Sequence, residues 1–123
     1  MAGEGLVELV EAGKLEGEEV DATIGPLLDR MLGTGCDVIV LGCTHYPFLR
    51  RAIREYAGEG VQIIDSGTAI ARRTLSVLQM DGLLRERTET GTFRLLTNAN
   101  SDGIAQVASQ LLGRPITVCN ATP

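Results

Sequence analysis

Cys43, Thr44 and His45 stand in a row. A thiol, a hydroxyl and an imidazole so placed can move a proton and hold a small anion. A free thiol titrates at about pH 8.5; at a helix N-terminus or beside a cationic group the value falls and thiolate forms near neutral pH. His45 lies close enough to shuttle that proton or to tune the sulfur. Thr44 can hydrogen-bond a carboxylate. The backbone N–H groups of Thr44, His45 and Tyr46 suit the same task, because the first turn of a helix leaves donors unpaired. The chemistry implied is a thiol acting as base or nucleophile on a small anionic substrate. A cysteine at a strand end more often simply packs, but no core requires these three side chains together.

The flanking residues place the trio. Val38-Ile39-Val40-Leu41 is an unbroken aliphatic run, which predicts a parallel strand buried on both faces. Gly42 permits a sharp change of direction. Pro47 suits the first turn of a helix, where its missing N–H costs nothing. The trio therefore falls at the carboxyl end of a strand, where open α/β sheets bind ligands.

The rest of the chain reads as alternating helices and strands. Leu6 to Ala12 is a short helix. Gly17 to Leu32 is amphipathic, with Val20, Ile24, Leu27, Leu28 and Met31 on one stripe; Pro26 is expected to kink it or split off its first turn. Cys36 reads as packing. Pro47 to Tyr56 is a helix with Leu49, Ile53 and Tyr56 inward and Arg50, Arg51 and Arg54 on a solvated face. Val61 to Ile64 is a strand. Asp65-Ser66-Gly67 reads as a plain turn, with Ser66 or Thr68 capping the next helix. That helix, Thr68 to Met80, turns Ile70, Thr74, Val77 and Leu78 inward. Asp81 to Gly91 is an exposed connection. Phe93 to Thr97 is a strand, Asn98 to Asp102 a turn with Ser101 as N-cap, Ile104, Val107, Ala108 and Leu111 a helical stripe, and Ile116 to Val118 a fourth strand.

Bulk properties narrow the class. The 123 residues allow one domain with a modest core. A net charge of −5 argues against a nucleic-acid partner. Three irregularly spaced cysteines do not form a disulfide framework; reduced thiols in a cytoplasmic setting fit better. No apolar run has membrane-spanning length, and acidic Glu4 and Glu8 do not suit a signal peptide.

Leu41-Gly42-Cys43-Thr44-His45-Tyr46-Pro47-Phe48-Leu49 resembles the second-cysteine motif of the glutamate racemases. The stretches Leu6 to Gly13, with Leu15-Glu16-Gly17, and Ile63-Ile64-Asp65-Ser66-Gly67, with the helix Ala69 to Arg73, are similar to the segments on either side. Aspartate racemases carry Glu after Gly-Cys-Thr, so His45-Tyr46-Pro47 favours the glutamate branch. The resemblance implies an α/β fold, a mostly parallel sheet with helices on both faces, as a partial copy of the two-domain Asp/Glu racemase fold. Residues 1–67 would be part of the second domain, and 68–123 a segment returning to the first.

It also implies a function. Inverting an amino acid needs a base and an acid on opposite faces of the α-carbon, and two cysteines can supply them with no cofactor. Cys43 would serve one face. His45 would assist proton handling, and Glu11, otherwise a solvated helix acid, matches the family's acid partner of the second cysteine and would orient or polarise. Thr44, with Cys43 and His45, would bind D- or L-glutamate, for peptidoglycan synthesis in the cytoplasm. The family's first cysteine lies in an N-terminal half not found ahead of Leu6. Cys119-Asn120-Ala121-Thr122 looks a little like its surroundings but comes last, and reads as coincidence. Three alternatives stand beside this: a related amino-acid racemase; an inactive half-domain that self-associates into a homo-oligomer; and a zinc site. For zinc, Cys43 and His45 are competent ligands but too few.

Overall fold

A computed structural model describes residues 3–87, 89–99 and 101–121. Thr122 and Pro123, the end of the Cys119 tetrapeptide and the residue after it, lie outside the described residues, as does Asn100 of the expected 98–102 turn. The order is α1 (Leu6–Glu11), α2 (Glu18–Leu32), β1 (Val38–Leu41), α3 (Arg50–Ala57), β2 (Gln62–Asp65), α4 (Gly67–Met80), β3 (Leu95–Thr97), α5 (Ser101–Leu112) and β4 (Val118–Asn120). A single 3₁₀ turn, Tyr46–Leu49, leads into α3. Both strand pairs are parallel: β1 with β2, in register Val38 to Gln62 through Leu41 to Asp65, and β3 with β4. They form two separate two-stranded sheets. The α/β class with parallel strands therefore holds, as two β-helix-β units joined by α4 and an exposed connector.

One unit holds nearly all the core. Leu6, Leu9, Val10, Val20, Ile24, Leu28, Ile39, Leu41, Leu49, Ala52, Ile53, Val61 and Ile63 form one buried cluster. Full burial of one such aliphatic side chain contributes about 1.5–3 kcal/mol. In α2 the buried residues recur every fourth position, at Val20, Ile24 and Leu28. Gly25 lets α3 approach: a Cβ there would sit 3.1 Å from the Tyr56 hydroxyl, which donates to Asp29 Oδ1 at 2.9 Å. Tyr56 thus faces α2, and is itself 41% exposed. Pro26 lies on the exposed side and does not split α2.

Several expectations are corrected here. The aliphatic run of β1 is not buried on both faces: Ile39 and Leu41 are buried, but Val38 and Val40 are exposed, Val40 by 66%. Arg50 and Arg54 are not a solvated face. Arg50 donates to the Ile63 carbonyl at 3.0 Å and to Asp65, and Arg54 donates to the Val61 carbonyl. Neither Ser66 nor Thr68 caps α4 through its side chain; Asp65 Oδ1 accepts from the Gly67 N–H at 2.8 Å. No residue of α4 is buried, and Ile70 is 60% exposed. Ser101 opens α5 rather than preceding it, and β4 lies two residues beyond its expected position.

The accessible surface is 8968 Å². A compact monomer of 13.1 kDa exposes about 6,400 Å², so roughly 2,600 Å² is in excess. Large apolar residues on β1, β2, α4, the connector and β3 contribute to it. Among the described residues no helix is long and apolar enough to cross a membrane.

Candidate functional site

Cys43 follows β1 through Gly42, and the short turn after it carries His45 into the 3₁₀ segment. Leu49, fully buried, anchors that segment. Against it packs α1, fixed by Leu6, Leu9 and Val10, with the Tyr46 hydroxyl donating to the Gly3 carbonyl at 3.4 Å. Burial of these apolar residues brings Glu11, in the last turn of α1, to the imidazole.

The result is a chain of polar groups. Cys43 Sγ lies 3.8 Å from His45 Nδ1. The opposite ring nitrogen, Nε2, lies 3.5 Å from Glu11 Oε1. This contact favours a proton on Nε2 and leaves Nδ1 as an acceptor towards the thiol. Thr44 Oγ1 is 3.4 Å from the same Nδ1. The Cys43 thiol is held below its ordinary value, first by the His45 backbone N–H and then by the imidazole. Partial burial opposes this, and the Tyr46 N–H adds to it. These two N–H groups, expected to be free for a carboxylate, are directed at the sulfur. The geometry suits transfer of the thiol proton to imidazole, leaving a thiolate beside an imidazolium that faces a carboxylate.

A cavity of about 410 Å³ opens next to this chain. Val10, Glu11 and His45 line one side, and Gly103, Ile104, Val107, Ala108 and Leu111 of α5 the other. Cys43 is not among its lining residues. The α5 residues match the stripe read from sequence, but reading them as core gave no sign that they would face Glu11 and His45. The only cue was spacing, which cannot name the partner face. Gln110 pins α5 by donating to the Gly13 carbonyl. Sequence reasoning also missed the Arg50–Asp65 pair, which ties the start of α3 to the end of β2. That pair, with the Gly67 N–H, holds the Asp65 carboxyl below the usual range.

Cys36 lies ahead of β1, the end opposite Cys43, with its thiol donating to the Val38 carbonyl at 3.0 Å. Cys119 is exposed on β4; all three cysteines are free. Among the described residues no group of three or more His, Cys, Asp or Glu could hold a metal ion.

Comparison with known proteins agrees with this architecture. A family model described as Asp/Glu/Hydantoin racemase matches residues 1–74. The glutamate racemase of Herpetosiphon aurantiacus is 42% identical over 103 residues, covering 84% of this chain and 41% of that protein. That of Deinococcus radiodurans is 44% identical over 95 residues, covering 77% and 33%. Among solved structures, glutamate racemase isoform RacE1 from Bacillus anthracis superposes with a TM-score of 0.74 at 28% identity, covering 95% of this chain and 44% of that one. The glutamate racemase of Francisella tularensis, solved with D-glutamate, shares the fold with a TM-score of 0.79 at 21% identity, again covering 95% and 44%. This chain thus spans less than half the length of the proteins it matches. With the family model covering most of the core-bearing unit and the fold shared, the chain belongs to the Asp/Glu/Hydantoin racemase family.

Proposed function

We propose that the chain carries one side of the proton-transfer site of a cofactor-independent glutamate racemase, supplying D-glutamate for peptidoglycan in the cytoplasm. Residues 1–67 belong to its second α/β domain, and 68–123 lead back towards the first. The Cys43 thiolate removes the α-proton from one face of glutamate, and a thiol on the opposite face returns a proton. His45 takes up and returns the Cys43 proton, and Glu11 steadies the imidazolium. Thr44 helps hold the substrate carboxylate. The observation that carries this reading is the run of contacts from Glu11 through His45 to Cys43.

One thiol cannot complete an inversion by this route, so the 123-residue chain alone is expected to show little or no racemisation. The decisive test is a chimera in which this chain replaces the matched segment of the H. aurantiacus enzyme. A folded chimera should racemise glutamate, and Cys43→Ser should abolish the activity. A folded chimera inactive on glutamate, or one indifferent to Cys43→Ser, overturns the proposal.

A further inference from the structure

The loop between β1 and α3, residues 42–49, carries Cys43, Thr44 and His45. Its two ends meet at one residue. Leu41, where the loop leaves β1, lies opposite Asp65 in the parallel register. Arg50, where the loop enters α3, pairs with the Asp65 carboxylate through its guanidinium. Both oxygens of that carboxylate are used: Oδ2 accepts from Arg50, and Oδ1 accepts from the Gly67 N–H at 2.8 Å. The other arm of the guanidinium donates to the Ile63 carbonyl at 3.0 Å. A guanidinium is a rigid planar fork, so two acceptors fix its orientation as well as its position. The Asp65 side chain is 16% exposed, so water competes less for this pair than for a surface ion pair.

The partners of the sulfur are local. The His45 N–H, the imidazole and the Tyr46 N–H hold the thiol below its ordinary value, and each belongs to the loop itself. Their aim depends on how the loop curves. The Phe48 N–H donates to the His45 carbonyl at 3.1 Å, and the Arg50 N–H donates to the Pro47 carbonyl. Arg50 is thus bonded to the loop by its backbone and to β2 by its side chain. Buried Leu49 anchors the same segment by packing, which is non-directional; the fork adds direction.

We infer that Arg50 and Asp65 form a clamp across the base of the loop and position it, keeping the His45 and Tyr46 N–H groups aimed at the Cys43 sulfur. Both are positioning residues that act through the loop. Their bearing on racemisation rests on the reading of Cys43 as a base; the clamp itself does not. Arg54 supplies an internal comparison. It lies one turn further along α3 and donates to the Gly58 and Val61 carbonyls, ahead of β2. The same chemistry therefore pins the same helix to the opposite end of the same strand, away from the loop.

The test reads the pH midpoint of Cys43 alkylation by iodoacetamide in the whole 123-residue chain, in a Cys36→Ser, Cys119→Ser background. Circular dichroism checks that each variant folds. Arg50→Met and Asp65→Ala should each raise the midpoint by about one pH unit, the worth of one hydrogen bond to a charged group. Arg54→Met should leave it unmoved. The two clamp variants remove opposite charges, so an effect of charge alone would raise the midpoint in Arg50→Met and lower it in Asp65→Ala. A general loosening of α3 would move Arg54→Met as far as Arg50→Met, a comparison that stands even where Asp65→Ala does not fold. Opposite shifts in the clamp variants, an equal shift in Arg54→Met, or no shift in Arg50→Met overturns the inference. Activity of the chimera is scored separately: a chimera inactive on glutamate, with a Cys43 midpoint that still follows the clamp, counts against the glutamate reading and not against the clamp.

Discussion

The two β-helix-β units share a topology and differ in what they bury. In the first, β1–α3–β2 with α1 and α2, packing is dense enough to leave Val10, Val20 and Leu49 fully buried. In the second, β3–α5–β4, the buried core member is Ile116 at 9% exposure, and α4 between the units has none. Both carry amphipathic helices. Periodicity therefore identifies the face a helix would bury, and says nothing about whether its cover is at hand. The chemistry follows the same division. Cys43, His45 and Glu11 are set by the dense unit, while α5 of the sparse one closes the far wall of their cavity.

The largest effect that sharpens this contrast is Leu49→Ala. It should cost about 2–5 kcal/mol of unfolding free energy by urea denaturation; a cost below about 1 kcal/mol would erase the distinction between the units. Native-state hydrogen exchange should next separate them. Amides of α2 and α3 should open with free energies approaching the global value, and those of α4 near zero. Equal protection would mean a single cooperative body.

At the site, the Cys43 thiolate should form at lower pH than an ordinary thiol. In a Cys36→Ser, Cys119→Ser background, the pH midpoint of iodoacetamide alkylation should lie below the usual thiol value. His45→Ala should move it upward, and an unmoved midpoint would remove the imidazole from the account. Asp65 gives a pH test of the dense unit. Its folded pKa is depressed, so its contribution is present above the unfolded carboxylate range and lost as pH falls through the folded value. Asp65→Asn should remove that acid-side loss of stability, read as a flatter dependence of the denaturation midpoint between neutral and acidic pH. The smallest effect belongs to α4: Leu75→Ala should change stability by no more than about 0.5 kcal/mol, because the side chain is half exposed.

Much of the dense unit was legible in the sequence, and the misses share a cause. Leu6, Val20, Ile24, Leu49 and Ile53 announce their burial by spacing, and Gly42-Cys43-Thr44-His45 marks the candidate site by composition. Val38 and Val40 are the same residue types as a strand covered twice, and only the layers above them distinguish the cases. Arg50 and Arg54 look like solvent charges because sequence hides how far a guanidinium can fold back to meet a carbonyl. Ser66 loses the capping role because Arg50 already fixes the Asp65 carboxylate beside the first turn of α4. Glu11 could not be linked to His45 by spacing, since their contact depends on how α1 packs.

The guanidinium plugs along β2 carry one more implication. An aggregate of the cross-β type grows because each newcomer offers the next a fresh template on its far side. Here two carbonyls on the outer side of β2, those of Val61 and Ile63, are already taken by the molecule's own arginines, so that side offers a newcomer fewer acceptors. Arg50→Ala with Arg54→Ala would free both of them.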